Sequence, residues 1–292
     1  MRVDRKPGRR PAGADRAAAA FDRIRSDRTH GAWALALEAL DALESVLDEW
    51  QRSHREPLPT VLRRSARRLE TSQPAMGPFL RWAGALRELA RSAPAPGLLS
   101  RSHRFLRREQ AQLKRELSRL QRVGRRRFPA DARHVITLSR SQTVLSVLSS
   151  LPPARRPVQV SVLESLPGGE GRLFAGDLRT AGLSARVLSD RAGPSAVRTA
   201  DLVLIGADAV FSDGSVVHKV GTNRLARAAA RKGVPVVVVA GRSKFTGRPA
   251  PSRPLPAWFD RTPARFLSEF WTDEGVRPGG RARVGPAHRR PL

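Results

Sequence analysis

Polar residues recur in this sequence at the carboxyl ends of short apolar runs. Ser139 and Ser141 follow HVITLS (134–139), Glu164 closes VQVSVLES (158–165) and Asp190 closes SARVLSD (184–190). Asp208 closes DLVLIGAD (201–208), and Arg242 and Lys244 follow VPVVVVAG (234–241). Each alone reads as a helix cap, but hydroxyls, carboxylates and cations gathered on one rim can hold an oxyanion and move a proton. The densest stretch is GADAVFSDGSVVHKVGTNRLARAAARKG, 206–233. Gly206 and Ala207 are small enough for a tight turn that presents Asp208, and Ser212-Asp213-Gly214 is turn chemistry within a hairpin over 211–217. Gly221-Thr222 opens a helix, with Thr222 a candidate N-cap and Lys219 just before it. Amides at a helix start beside an ammonium make a phosphate site. SRSQT (139–143) and the glycine loop PGGEGR (167–172) are two further anion candidates.

Other chemistries find no support. Neither G-x-G-x-x-G nor a Walker A sequence occurs, so no dinucleotide or P-loop nucleotide site, and no cofactor, is expected. No histidine pair has metal-ligand spacing, so no metal is expected either; His30 and His218 are candidate anion contacts, against the plainer role of solvent-facing or core-filling rings. With no cysteine, disulfides, thiolate metal sites and cysteine nucleophiles are excluded.

The elements that must position these residues follow from periodicity. From about 15 to 128 the pattern is helical: Leu37, Leu40, Leu43 and Leu47 recur at three- and four-residue spacing, and Phe105, Leu106, Leu113, Leu117 and Leu120 form a stripe among charges. Prolines at 57, 59, 74, 78, 94 and 96 divide the segment into several helices. From 129 to 274, β-branched runs alternate with helix-like stretches, which predicts an α/β domain: a mostly parallel sheet with helices on both faces and ligands beyond the strands' carboxyl ends. Residues 1–14 and 275–292, rich in Gly, Pro and Arg, are expected to be mobile basic tails.

The 292 residues, 40% hydrophobic, suffice for one large or two modest cored domains. Lys and Arg number 54 against 26 Asp and Glu, a formal charge of +28 with only five lysines. Such arginine excess reflects either a compositional habit or nucleic-acid binding, and the second requires the charge to be gathered into a patch. No signal-peptide pattern and no run of about 18 apolar residues occurs, so a soluble cytoplasmic protein without a membrane partner is expected.

Taken in order, IRSDRTHGAWALALEAL (24–40), RRLETSQPAMGP (67–78), VITLSRSQTVLSVL (135–148), VLESLPGGEGR (162–172), GADAVFSDGSVVHKVGT (206–222) and VPVVVVAGRSKF (234–245) resemble the signature of the translation initiation factor 2B alpha/beta/delta-subunit family. That family also contains methylthioribose-1-phosphate and ribose-1,5-bisphosphate isomerases. The resemblance covers nearly the whole chain between the tails. It implies a helical domain followed by a Rossmann-like domain, a sugar-phosphate or nucleotide pocket between them, and dimerisation through the α/β domain. It also implies contacts to the ligand from His30, Gly31, Ala32, Ser141, Glu164, Gly206, His218, Lys219, Gly221, Thr222 and Lys244. In the isomerases a Cys and an Asp transfer hydrogen between the first two carbons of an aldose 1-phosphate. The Asp maps onto Asp208, but the Cys position holds Ser139, with no base evident beside it. Leu166 replaces the Arg of the family's Glu-Ser-Arg-Pro, His218 an Asn, Leu138 a His, and His30 the Arg of Arg-Gly-Ala.

Three readings stay open: a regulatory or assembly subunit that binds a phosphorylated small molecule, as a homodimer or with other family members; an aldose-1-phosphate to ketose-1-phosphate isomerase relying on Asp208; and an RNA- or ribosome-associated basic protein.

Overall fold

A computed structural model describes residues 13–27, 29–92, 97–155, 158–252 and 254–280. The first half is helical: α1 (Gly13–Ser26), α2 (Ala32–Ser53), α3 (Leu58–Ser72), α4 (Gly77–Arg91) and α5 (Leu98–Arg127). Among the described residues, prolines stand where the sequence reading placed breaks, with Pro59 and Pro78 in the first turns of α3 and α4, where a missing amide costs nothing; Pro94 and Pro96 lie outside the described residues. The predicted leucine stripe of α2 is buried: Leu40, Leu43 and Leu47 pack with Phe79, Trp82 and Leu86 of α4 in one helical core.

The second half contains β1 (His134–Leu138), α6 (Gln142–Ser149), β2 (Gln159–Leu163), α7 (Glu170–Thr180), β3 (Ser184–Leu188), α8 (Gly193–Ala196) and β4 (Leu202–Ile205). It continues with β5 (Ala209–Val210), β6 (Val216–Lys219), α9 (Thr222–Arg231), β7 (Val236–Val239), β8 (Phe259–Thr262), β9 (Glu269–Thr272) and β10 (Gly275–Pro278). The main sheet runs β10-β9-β7-β4-β1-β2-β3, parallel throughout except for β10 against β9. Strands β1, β4 and β7 are buried along their whole length, because apolar clusters cover both faces of the sheet. A second, antiparallel sheet β5-β6-β8 stands beside the first.

Three features depart from the sequence reading. The stretch 275–278, expected within a mobile tail, is the edge strand β10, paired residue for residue with β9; its apolar content is low because an edge strand packs little surface. Residues 13–14, expected in the N-terminal tail, begin α1, while residues 1–12 and 281–292 lie outside the described residues. Helix α5, assigned wholly to the helical domain, serves two cores: Leu106 and Leu113 pack among the other helices, and Leu120 packs against the sheet.

Candidate functional site

Strand order reverses between the parallel neighbours β1 and β4, since β1 leads outward to β2 and β3 while β4 leads to β7 on the other side. Crossover loops leaving such a pair diverge and open a crevice at the strands' carboxyl ends. Here the crevice is a cavity of about 270 Å³, near the small end of ligand pockets and sized for one metabolite. The α/β domain contributes Ser139, Ser141, Glu170, Asp208, His218, Lys219 and Lys244; the helical domain closes the other side with His30, Gly31, Ala32, Gln73 and Met76.

Ser139 leaves β1 in the left-handed region (φ 62°), a conformation stabilised by its amide donating to Ser165 Oγ at 2.7 Å. Two residues on, Ser141 caps α6, its Oγ accepting from the Val144 amide at 3.3 Å. Gly206 makes this approach feasible, because a Cβ there would sit 2.4 Å from Ser141 Oγ. Asp208 follows β4, its amide bonded to the Val217 carbonyl and its own carbonyl accepting from the Gly77 amide of α4 at 2.7 Å. One backbone group thus ties the acid to the helical domain.

The floor of the cavity is an ion pair. Glu170, in the first turn of α7, stands 2.6 Å from Lys219 Nζ at the end of β6, with both side chains about 6% exposed. The Trp258 ring lies 4.6 Å from the same ammonium. Ser139 Oγ donates to Glu170 Oε1 at 3.2 Å, so a carboxylate does adjoin the hydroxyl that the sequence reading left without a base. Glu170 Oε2 has no hydrogen-bond partner. Nothing in the sequence reading singled out Glu170 itself; the available signal was an acidic residue directly after the glycine loop, in the favoured first turn of a helix.

Burial sets the protonation states of the remaining groups. Asp208 is pushed up to about 6 by desolvation, against the pull of Lys244 and Lys219 and with a smaller push from Glu170. His218 is pushed down to about 3 by burial, then by Lys219 and Lys244, so its ring is neutral at pH 7. The Thr222 hydroxyl gives its proton to the Lys219 carbonyl at 2.5 Å, so at 3.1 Å it accepts from His218 Nδ1–H, leaving Nε2 as an acceptor. Burial also lowers Lys244, with Asp208 and Glu116 holding it up. Lys244 makes no ion pair among the described residues. Its turn is anchored by Glu116 of α5, which accepts from the Ser243 amide and hydroxyl, both at 2.7 Å.

On the opposite wall His30 Nδ1 lies 2.6 Å from Asp27 Oδ2. Gly31 precedes α2 without a side-chain cap, and a Cβ on it would fall 2.6 Å from the Arg140 carbonyl. The positive end of α2 therefore meets the β1–α6 loop closely at the cavity.

Four contacts expected from the sequence do not line the cavity: Gly206, which lies behind Ser141, and Glu164, Gly221 and Thr222. Glu164 is outside the cavity, its carboxylate 2.8 Å from Arg172. The α9 N-terminus, read as a phosphate site, is already filled: Asp260 of β8 accepts from the Gly221 amide at 2.8 Å and the Asn223 amide at 3.1 Å. Gly221, not Thr222, is the N-cap, in the left-handed region at φ 100°, and Thr222 reaches the cavity only through His218 and Lys219.

Comparison with known proteins agrees with this architecture. The model of the initiation factor 2 subunit family matches residues 28–255. A Pyrococcus horikoshii protein described as translation initiation factor eIF-2B subunit 2-like is 30% identical over 226 residues, covering 76% of each chain. Ribose 1,5-bisphosphate isomerase of Haloferax volcanii is 27% identical over 283 residues, covering 85% of this chain and 84% of that one. The crystal structure of Pyrococcus horikoshii OT3 translation initiation factor eIF-2B superposes with a TM-score of 0.75 at 26% identity, covering 90% of this chain and 96% of that one. A match over most of the length makes this chain a member of the initiation factor 2 subunit family.

Proposed function

We propose that the cavity binds a phosphorylated sugar or nucleotide, and that the chain acts through this binding as a regulatory or assembly member of its family, partnering a second copy or another family member through the α/β domain. The observation that carries the reading is the pair of buried ammonium groups on one cavity wall, Lys219 and Lys244. Lys219 is balanced by Glu170, whereas Lys244 makes no ion pair among the described residues and feels Asp208 and Glu116 only at longer range. A buried cation is costly without an anion close by, and a phosphate held between Lys244 and the α2 N-terminus supplies one. The neutral His218 Nε2 and the Asp208 carboxyl are suited to sugar hydroxyls. Where isomerases of the family use a thiol, Ser139 offers a poorly acidic hydroxyl beside a carboxylate already engaged by Lys219. Loss of one acid/base partner costs about 10²–10⁴ in rate, which favours binding over rapid turnover.

A second reading, aldose-1-phosphate isomerisation, is favoured by one feature: Asp208 at about 6 is poised to exchange a proton near neutral pH. Calorimetry with ribose 1,5-bisphosphate and with AMP, on the wild type and Lys244→Met, separates the two. The binding reading expects saturable association with at least one compound, lost in the variant, and ribose 1,5-bisphosphate recovered unchanged. Formation of ketose abolished by Asp208→Asn establishes the isomerase instead; no saturable association with either compound removes both.

A further inference from the structure

The chain's positive charge is not spread evenly. Helix α5 is 30 residues long and buries Ser102, Leu106, Leu113, Glu116, Leu120 and Gly124 along one side. At 100° per residue the opposite side is centred on Arg104, Arg108, Arg115, Arg119, Arg122 and Arg126, all within an arc of about 60°. From Arg104 to Arg126 this row runs about 33 Å at 1.5 Å per residue. None of the six makes an ion pair or a side-chain hydrogen bond among the described residues. Five are exposed and Arg119 is half-buried. The two acidic residues of α5 cannot neutralise the row: Glu109 faces Arg81 and Trp82, and Glu116 is buried against Ser243. A helix that needed only solubility would mix signs along this face, because like charges at four-residue spacing repel.

We propose that this face of α5 is a docking surface for double-stranded nucleic acid, read through its phosphates. The occupant follows from three properties of the row. It is long and straight, so a partner must carry negative charge over tens of ångströms; a duplex presents a charge per about 1.7 Å, or about 19 over this length. It is built of guanidinium groups, whose planar donor forks match phosphate oxygens. It lacks stacking groups: Phe105, the aromatic residue nearest the arc, packs against the helical core. Binding of single strands relies on such platforms, so the surface suits a duplex whose bases stay paired, without sequence preference. The assignment is independent of the cavity, since none of the six arginines lines it.

The test is fluorescence anisotropy with a labelled 20-base-pair RNA duplex, a DNA duplex of the same sequence and the single strand, from 50 to 200 mM salt. Neutralising up to six phosphates gives a slope of log K against log salt as steep as about −5. The triple variant Arg108→Gln/Arg115→Gln/Arg122→Gln should lower duplex affinity at least tenfold and make the slope shallower by about 2 to 3. A control variant of identical net charge, Arg63→Gln/Arg67→Gln/Arg231→Gln, removes exposed arginines on other helices and should leave both quantities close to wild type. Equal losses in the two variants would reduce the effect to bulk charge and overturn the proposal. So would absence of duplex binding at 50 mM salt, or tighter α5-dependent binding to the single strand or to vesicles containing phosphatidylserine.

Discussion

Replacing Asp208 by Asn should stabilise the protein, by an amount that depends on pH. The carboxyl rises from its ordinary 3.8 to about 6 because burial removes water that the lysines only partly replace. Below pH 3.8 the group is protonated in folded and unfolded chains alike and costs nothing. Between 3.8 and about 6 the unfolded chain ionises while the folded one keeps its proton, so the contribution to stability falls as pH rises; above about 6 the full cost remains. At 1.36 kcal/mol per tenfold change in the proton equilibrium, that cost is about 3 kcal/mol. Asparagine is isosteric and keeps the backbone bonds to Val217 and Gly77, and the value of about 6 already includes the attraction of the lysines, so the net gain should be about 3 kcal/mol at pH 7.5. Paired urea denaturation of wild type and variant at pH 7.5 and 4.5 measures the difference directly. A variant no more stable than wild type at pH 7.5, or a gain as large at pH 4.5, would refute the desolvated carboxyl.

Two further perturbations probe the same cavity. Lys219→Met leaves Glu170 buried without its counter-ion and should cost about 3–5 kcal/mol in urea denaturation, whereas the double variant with Glu170→Gln should recover most of that loss. Gly31→Ala puts a methyl against the Arg140 carbonyl and should cost about 1–3 kcal/mol; an unchanged denaturation midpoint would show that the α2 start and the β1–α6 loop are not held together.

The legibility of this protein in its sequence was uneven, for physical reasons. Strand runs such as VITL and VVVV are apolar on both faces, a pattern that only a covered parallel strand needs, and all five expected strands form. Asp208 and Lys244 were identifiable because each follows a parallel strand on one rim, and Lys219 because it stands just before a helix start at Gly221-Thr222. The strands β8 to β10 were not: β8 and β10, in the side sheet and at the edge, bury too little to leave a periodicity, and β9, though buried from Phe270 to Thr272, is only four residues long. At the α9 N-terminus a local pattern misled: Gly-Thr after Lys states that free amides are present there, but not that Asp260, some forty residues on, already occupies them.

Periodicity and motif order by themselves therefore determined the class of fold, the family and the rim on which polar side chains collect, because each depends on neighbours within a few residues. Tertiary structure alone decided how charges pair: that Glu170 neutralises Lys219, that Lys244 faces the cavity without an ion pair among the described residues, that Glu164 turns away, and that six arginines of α5 are left without acidic partners among those residues. Pairing energies depend on distance and burial between segments remote in sequence, and neither quantity exists until the chain has folded.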